Sequence, residues 1–96
     1  MEARISESRL NEMLARLDNW KIVEGKLHKD FKFEDFDKAV GFILQVAEIA
    51  GSLNHHPEIF NVYNKVSLDL TTHDAGGITG LDFAFAEDVD KLTASS

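Results

Sequence analysis

Apolar positions recur with a helical period in three stretches of the chain and with a strand period in four. Leu10, Met13, Leu14 and Leu17 fall at i, i+3, i+4 and i+7, which places one apolar stripe on a helix over residues 6–17. Ser6 or Ser8 stands where a cap is needed, and Asp18-Asn19 ends the pattern. Residues 20–23, beginning at Trp20, predict a short strand, Glu24-Gly25 a turn, and residues 27–33 a second strand. Leu27, Lys29, Phe31 and Phe33 then share a face, and a lysine there suggests an edge or an end of the sheet. Asp35 is placed to cap a long helix reaching about Leu53, apolar at Phe36, Ala39, Val40, Ile43, Val46, Ala47 and Ala50. Gly51, if still helical, costs about 1 kcal/mol relative to alanine.

The single proline, Pro57, cannot sit in a central strand and biases His56 toward extended backbone. His55 and His56 therefore fall in the connection after the long helix. Two strands follow, over residues 59–63 and from 65 or 66 to 72, joined by a polar turn at Asn64-Lys65. Asn64 is the residue expected to tolerate a positive φ there. Val66, Leu68, Leu70 and Thr72 share one face; Ser67, Asp69, Thr71 and His73 share the other. His73 is thus expected at the strand end, projecting away from the aliphatic face. In "HDAGGITGLD", Thr79 and Asp82 have capping-box spacing, with Asp replacing the usual Glu, before a last helix that packs through Leu81, Phe85, Val89 and Leu92. The order is α-β-β-α-β-β-α. This predicts an α+β fold: a four-stranded antiparallel sheet with three helices packed on one face, spanning residues 1–96 as a single domain.

Composition narrows the function. A chain of 96 residues makes a small core, which self-association would help to stabilise. A formal charge of −7 argues against nucleic acid and anionic membrane surfaces as partners, leaving small molecules and proteins. The longest apolar stretch, residues 39–50, is too short and too interrupted to span a bilayer. There is no cysteine, which removes disulfides, thiolate zinc sites and a cysteine nucleophile, and fits a cytoplasmic location. The polar, acidic start "MEARISESRL" lacks a signal-peptide pattern. No P-loop, GxGxxG or GxSxG occurs.

Chemistry is left to His55, His56 and His73. Adjacent side chains on extended backbone point apart, so His55 and His56 are poorly placed to chelate one metal, and no metal is expected. Two readings remain for the residues themselves. A histidine at a helix C-terminus can serve as a cap, and one at a strand end can be ordinary surface. Alternatively, imidazoles that titrate near neutrality supply a proton donor and a proton acceptor. His28, alternating with lysines in a strand, reads as surface.

"NHHPEIFNVYNKVSLDLTTHDAGGITGLD", residues 54–82, resembles the pterin-4a-carbinolamine dehydratase family, also known as the dimerisation cofactor of a hepatocyte homeodomain transcription factor. His55-His56-Pro57, Tyr63, His73 and Asp82 carry the family's order and spacing. The resemblance implies dehydration of a 4a-hydroxy-tetrahydropterin to a quinonoid dihydropterin, in pterin recycling, without a cofactor. It implies acid–base roles for His55 and His73, with His56 holding or polarising the pterin. Thr71 and Thr72 would offer hydrogen bonds, Pro57 would aim the histidines, and Asp82 would fix local structure. Two departures stand out: Gly51 occupies the place of a family glutamate, and Ile59 that of an aromatic residue. Asn54 stands where many relatives carry aspartate, at the substrate's edge. Glu48 is the nearest carboxylate on the same helix that could replace the missing one. The resemblance also implies a homodimer or homotetramer, and allows a second role as a protein-binding cofactor on the same scaffold.

Overall fold

The computed structural model describes residues 3–94. Helix α1 spans Glu7–Leu14, strand β1 Lys21–Val23, β2 Lys26–Lys32, helix α2 Phe36–Leu53, β3 Glu58–Val62, β4 Lys65–Leu70, and helix α3 Gly80–Ala94, with a 3-10 turn His73–Ala75 between β4 and α3. All strand pairings are antiparallel, in the order β1-β2-β4-β3. This is the α+β architecture that the periodicity predicts.

The registers explain which residues are buried. Leu27 pairs with Leu70 and Lys29 with Leu68, so the odd positions of β2 meet the even positions of β4 on one face. That face, with Leu27, Val66, Leu68 and Leu70 nearly inaccessible, receives Ala39, Phe42, Val46 and Ala50 of α2 and Phe83, Phe85, Ala86 and Val89 of α3. Each such aliphatic or aromatic side chain contributes about 1.5–3 kcal/mol on burial. The stripe of α1 (Leu10, Met13, Leu14) and the following Leu17 pack on this core, partly buried.

Local chemistry sets the ends of the elements. The Asp35 carboxylate accepts the Lys38 N–H at 2.9 Å, the expected cap of α2. Ser6 holds the N-cap position of α1 but makes no capping bond; its hydroxyl lies 3.3 Å from that of Ser8. Helix α1 stops at Leu14, short of residue 17, and finishes in single turns closed by Arg16 and Leu17. The β1–β2 hairpin turns through Glu24 (φ 51°) and Gly25 (φ 78°), two left-handed residues as a two-residue hairpin requires.

Three expectations are corrected, and a fourth, the place of Lys29, is refined. In the second hairpin Val62 pairs with Lys65, so the turn is Tyr63-Asn64, and Tyr63 rather than Asn64 takes the positive φ of 51°. Asn64 instead donates its amide to Phe33 O at 2.9 Å, fastening the hairpin to the end of β2. The stripe of α2 is buried at Ala39, Val46 and Ala50 as predicted, but Phe36 is 47% exposed and Phe42, outside the predicted stripe, is buried. A helix apolar nearly all round gives no unique phase from periodicity alone. Lys29 does stand at a margin, since β1 covers β2 only as far as His28, although its strand is interior in the sheet order. It is 8% exposed, with its ammonium 3.2 Å from Asp90 Oδ1. Finally, β4 ends at Leu70, so His73 begins a helical turn rather than ending a strand.

His28 is on the outer face of the sheet, as a surface residue should be, yet its side chain is only 17% exposed. Nδ1 lies 2.8 Å from Asp69 and Nε2 2.9 Å from Asp30. Burial pushes its pKa down, but the hydrogen bond to Asp69 and the charges of both carboxylates outweigh this, and the net shift is upward. The Ser67 hydroxyl, donating at 2.6 Å, and then His28 push Asp30 down. A raised histidine pKa gives stability that is complete below its unfolded value near 6.5 and disappears as pH rises through the folded value. The lowered Asp30 pKa gives stability present above about 3.8 and lost as pH falls through the folded value. The cluster therefore supports the sheet most between about pH 4 and 6.5. Urea denaturation should show the wild type losing stability between pH 6 and 8 relative to His28→Gln; parallel curves for the two proteins would refute the assignment.

Among the described residues no helix is long and apolar enough to cross a membrane.

Candidate functional site

The C-terminus of α2 is built to release the chain toward β3 and to carry two imidazoles, of which only that of His56 is exposed. Asn54 adopts the left-handed conformation, φ 49° and ψ 46°, which asparagine tolerates better than most residues. The Asn54 N–H bonds Gly51 O at 3.4 Å and the His55 N–H bonds Ala50 O at 3.1 Å, the paired closure of a Schellman motif. Pro57 follows, and β3 begins at Glu58. The backbone thus reverses at Asn54 and is extended by Pro57, with the two histidines between.

His55 turns inward. Its side chain is 11% exposed and stands edge-on to Phe85, with ring centroids 6.4 Å apart. Nε2 lies 2.5 Å from Asp82 Oδ1. Asp82 is wholly buried in the first turn of α3. Its Oδ2 accepts the Thr79 N–H and the Thr72 hydroxyl, each at 2.9 Å. Because Thr72 donates to the carboxylate, the 2.8 Å contact between the two hydroxyls makes Thr79 the donor to Thr72. Thr79 Oγ1 in turn accepts the Leu81 N–H at 3.2 Å. The predicted capping box is therefore real, and its aspartate does two jobs: Oδ2 caps α3 and Oδ1 holds His55. With its Nε2–H engaged by a carboxylate, a neutral His55 carries its lone pair on Nδ1.

His73 comes from the other side. Thr72 and Gly77 form an isolated antiparallel bridge, with N···O distances of 3.0 and 3.3 Å. The 3-10 turn inside it is closed by Ala75 N–H to Thr72 O and Gly76 N–H to His73 O. Gly76, at φ 72°, ends the turn in a conformation that favours glycine.

These two segments enclose an open cleft of about 230 Å³. Its walls bring together His55, His56, His73, Asn54, Thr71 and Thr72, and add Asp74. Pro57 lies beside it in sequence, and Asp82 stands behind His55. Thr72 has its hydroxyl, N–H and carbonyl all engaged within the protein, so Thr71 is the threonine with an uncommitted side chain among the described residues. Glu48 is exposed on α2 and is not part of the cleft wall. Gly51 is helical, and a Cβ there would meet open space, so packing does not demand glycine. Asp74 was missed although it follows His73 directly; nothing in strand periodicity marks it. Among the described residues no three His, Asp or Glu side chains are grouped to hold a metal ion. Larger hollows, near Arg4 and on the outer sheet face near Phe60, contain none of the three clustered histidines.

The cleft is smaller than the roughly 300–1,000 Å³ usual for drug-sized ligands, and its wall is rich in imidazole. The family model for pterin 4 alpha carbinolamine dehydratase matches residues 3–92. A protein of Solibacter usitatus, provisionally named a pterin-4-alpha-carbinolamine dehydratase, is 50% identical over 94 residues, covering 98% of this chain and 99% of its own. A similarly named protein of Metallosphaera sedula is 44% identical, covering 93% of each. The crystal structure of a transcriptional coactivator/pterin dehydratase from Brucella melitensis superposes with a TM-score of 0.88 at 44% identity, over 93% of this chain and 97% of that one. A pterin dehydratase-like protein described as a RuBisCO assembly factor in the alpha-carboxysome superposes at 0.64 with 25% identity, over 81% and 90%.

Proposed function

Since the chain belongs to the pterin 4 alpha carbinolamine dehydratase family, we propose that its histidine cleft dehydrates a 4a-hydroxy-tetrahydropterin to a quinonoid dihydropterin and water, in pterin recycling. The observation that carries the reading is His55, largely enclosed, its Nε2 fixed on a buried carboxylate, in one cleft with His56 and His73.

The 4a-hydroxyl leaves poorly until it is protonated, and its departure needs electrons from N5. His55 Nδ1 is the acceptor for the N5 proton, and the Asp82 carboxylate balances the charge the ring acquires. His73, as imidazolium, gives a proton to the departing hydroxyl, which leaves as water. The N5–H and C4a–O bonds break, the N5=C4a bond forms, and the two imidazoles exchange protons with solvent to reset. His56 polarises the ring, and Thr71 offers a hydroxyl to its amide edge. Each proton transfer accounts for about 10²–10⁴-fold in rate.

A second reading, a protein-binding role on the same scaffold, is favoured by a different observation. Phe36 and Leu44 of α2, and Phe60, Val62 and Tyr63 at the β3 hairpin, are large apolar side chains from 47% to 65% exposed. Such surface is normally covered by another chain, and a homodimer or homotetramer is the expected cover.

The test is the decay of freshly generated 4a-hydroxy-tetrahydropterin with wild type and with His55→Ala/His73→Ala, each checked for mass by sedimentation. A wild type at least about 10²-fold faster than the variant is expected, on an oligomer of unchanged mass. Equal traces at the uncatalysed rate would remove the enzyme and leave the binding role. A monomer would remove the self-association.

A further inference from the structure

We propose that Ile5 is a positioning residue for His55, acting through its backbone N–H at the far end of one run of hydrogen bonds. The inference rests on the reading of His55 as the base of the cleft, and adds a residue of the N-terminal segment that lies outside the cleft wall.

The run begins at the Ile5 N–H, which donates to Ile78 O at 2.8 Å. That carbonyl belongs to the same peptide group as the Thr79 N–H, which donates to Asp82 Oδ2 at 2.9 Å. Asp82 Oδ1 in turn accepts the His55 Nε2–H. A peptide unit is planar, so a donor that fixes its carbonyl end also fixes its N–H end. Hydrogen bonds in series polarise one another, and each strengthens the next. The peptide lies in the interior: Ile78 is 4% exposed, and Thr79 and Asp82 are fully buried. A carbonyl that loses its donor there is costly, and the peptide shifts to recover one.

The other donor to Oδ2 depends on the same stretch. Thr72, whose hydroxyl reaches Oδ2 at 2.9 Å, is held by its bridge to Gly77, the residue before Ile78. The stem of Arg4 lies over Gly77, so close that a Cβ there would stand 2.5 Å from Arg4 Cδ. Arg4 and Ile5 thus hold adjacent residues, Gly77 by contact and Ile78 by a hydrogen bond. Both donors to the carboxylate that orients His55 are anchored by this pair. On this side the loop borders a hollow of about 530 Å³, lined by Arg4, Ile5, Ile22, Gly76 and Gly77 among others, so continuous packing does not replace the segment.

The test compares Ile5→Pro, which removes the N–H, with Ile5→Ala, which keeps it; both lose the packing of the isoleucine side chain on the core. Nitrogen–proton spectra of the histidine rings and steady-state dehydration are read at a temperature where both variants are folded. Ile5→Pro should displace or broaden the ring signals of His55 and leave those of His28, tied instead to Asp69 and Asp30. Its kcat should fall about tenfold relative to Ile5→Ala, with KM changed by less than about twofold. Should Ile5→Pro not fold, Gly77→Ala reaches the same stretch from its other anchor. Its methyl collides with Arg4, and it should move the His55 signal and slow turnover about threefold; Arg4→Ala in that background should restore both, since the methyl then takes the place of the stem. An active wild type, with the same His55 signal and kcat in Ile5→Pro as in Ile5→Ala, or in Gly77→Ala as in wild type where the proline variant does not fold, would overturn this inference and leave the dehydratase standing. An inactive wild type whose His55 signal still moves in Ile5→Pro would remove the dehydratase and leave Ile5 as the residue that positions the ring.

Discussion

Asp82→Asn is expected to slow dehydration by about 10²–10⁴-fold in kcat while the protein stays folded. The direction follows from donors and acceptors alone. The carboxylate faces three donors: His55 Nε2–H on one oxygen, and the Thr72 hydroxyl and Thr79 N–H on the other. An asparagine amide has only one oxygen. Two donors stand at the Oδ2 position, one of them a backbone N–H that cannot reorient, so the amide oxygen goes there. The NH₂ then faces His55 and donates to Nε2. That forces the ring proton to Nδ1, where the lone pair is needed. The protein keeps its cap on α3 but presents the wrong tautomer of its base. The same inversion underlies the loss of activity when a serine protease triad loses its aspartate charge in this way. Stability should fall by only about 1–3 kcal/mol, the range for losing hydrogen bonds to a charged group. Steady-state kinetics with a melting curve on the same sample would check both parts. A variant as fast as wild type would show that Asp82 only caps a helix.

That prediction was not available from the sequence, and the reason is general. The strand and helix periods, the Asp35 cap and the Thr79–Asp82 box are all local, written within a few residues, and they were legible. The gathering of His55, His56 and His73 was implied by the family resemblance of residues 54–82 and not by the element order, which left cap and surface roles open. The bond from Asp82 to His55 spans 27 positions, and nothing in either segment declares it. Asp82 was read as a fixer of local structure, and its hydrogen bond to His55 was invisible. The α2 stripe was legible at Ala39, Val46 and Ala50 but not at its margins: Phe36 is as apolar as Phe42, and packing against β4 and α3 rather than composition decides which of the two is buried. Thr72 was legible as a site residue and not as one whose hydrogen bonds are already spent. Lys29 pointed to the sheet's margin, which lies one residue short of it, but not to the carboxylate 61 positions away that makes its burial tolerable.

That carboxylate carries the second large effect. Asp90→Ala should destabilise the protein by about 3 kcal/mol or more, because it leaves a buried ammonium without its partner. Asp90 Oδ1 accepts from the Trp20 indole at 2.8 Å and from Lys29 Nζ at 3.2 Å, and Oδ2 accepts the Asp18 N–H at 3.0 Å. Lys29 is also 5.1 Å from the Phe31 ring centroid and 5.9 Å from that of Trp20, so its charge is solvated by two rings and one carboxylate. Asp18 lies 3.6 Å away, but its side chain is 73% exposed and cannot replace what is lost. The signature that separates this account from simple loss of packing is non-additivity. Lys29→Met in the Asp90→Ala background removes the stranded charge and should recover at least about 1 kcal/mol by urea denaturation. A single variant costing less than that, or a double variant weaker than the single, would mean the pair is not what holds this corner. The corner matters to the cleft because α3 bears both carboxylates. Asp90 ties its later turns to β2 and to the segment before β1, and Asp82, two turns earlier, meets His55. Where folded Asp90→Ala persists at low temperature, its rate should fall along with its stability, since the helix that orients the base is then held at one end only.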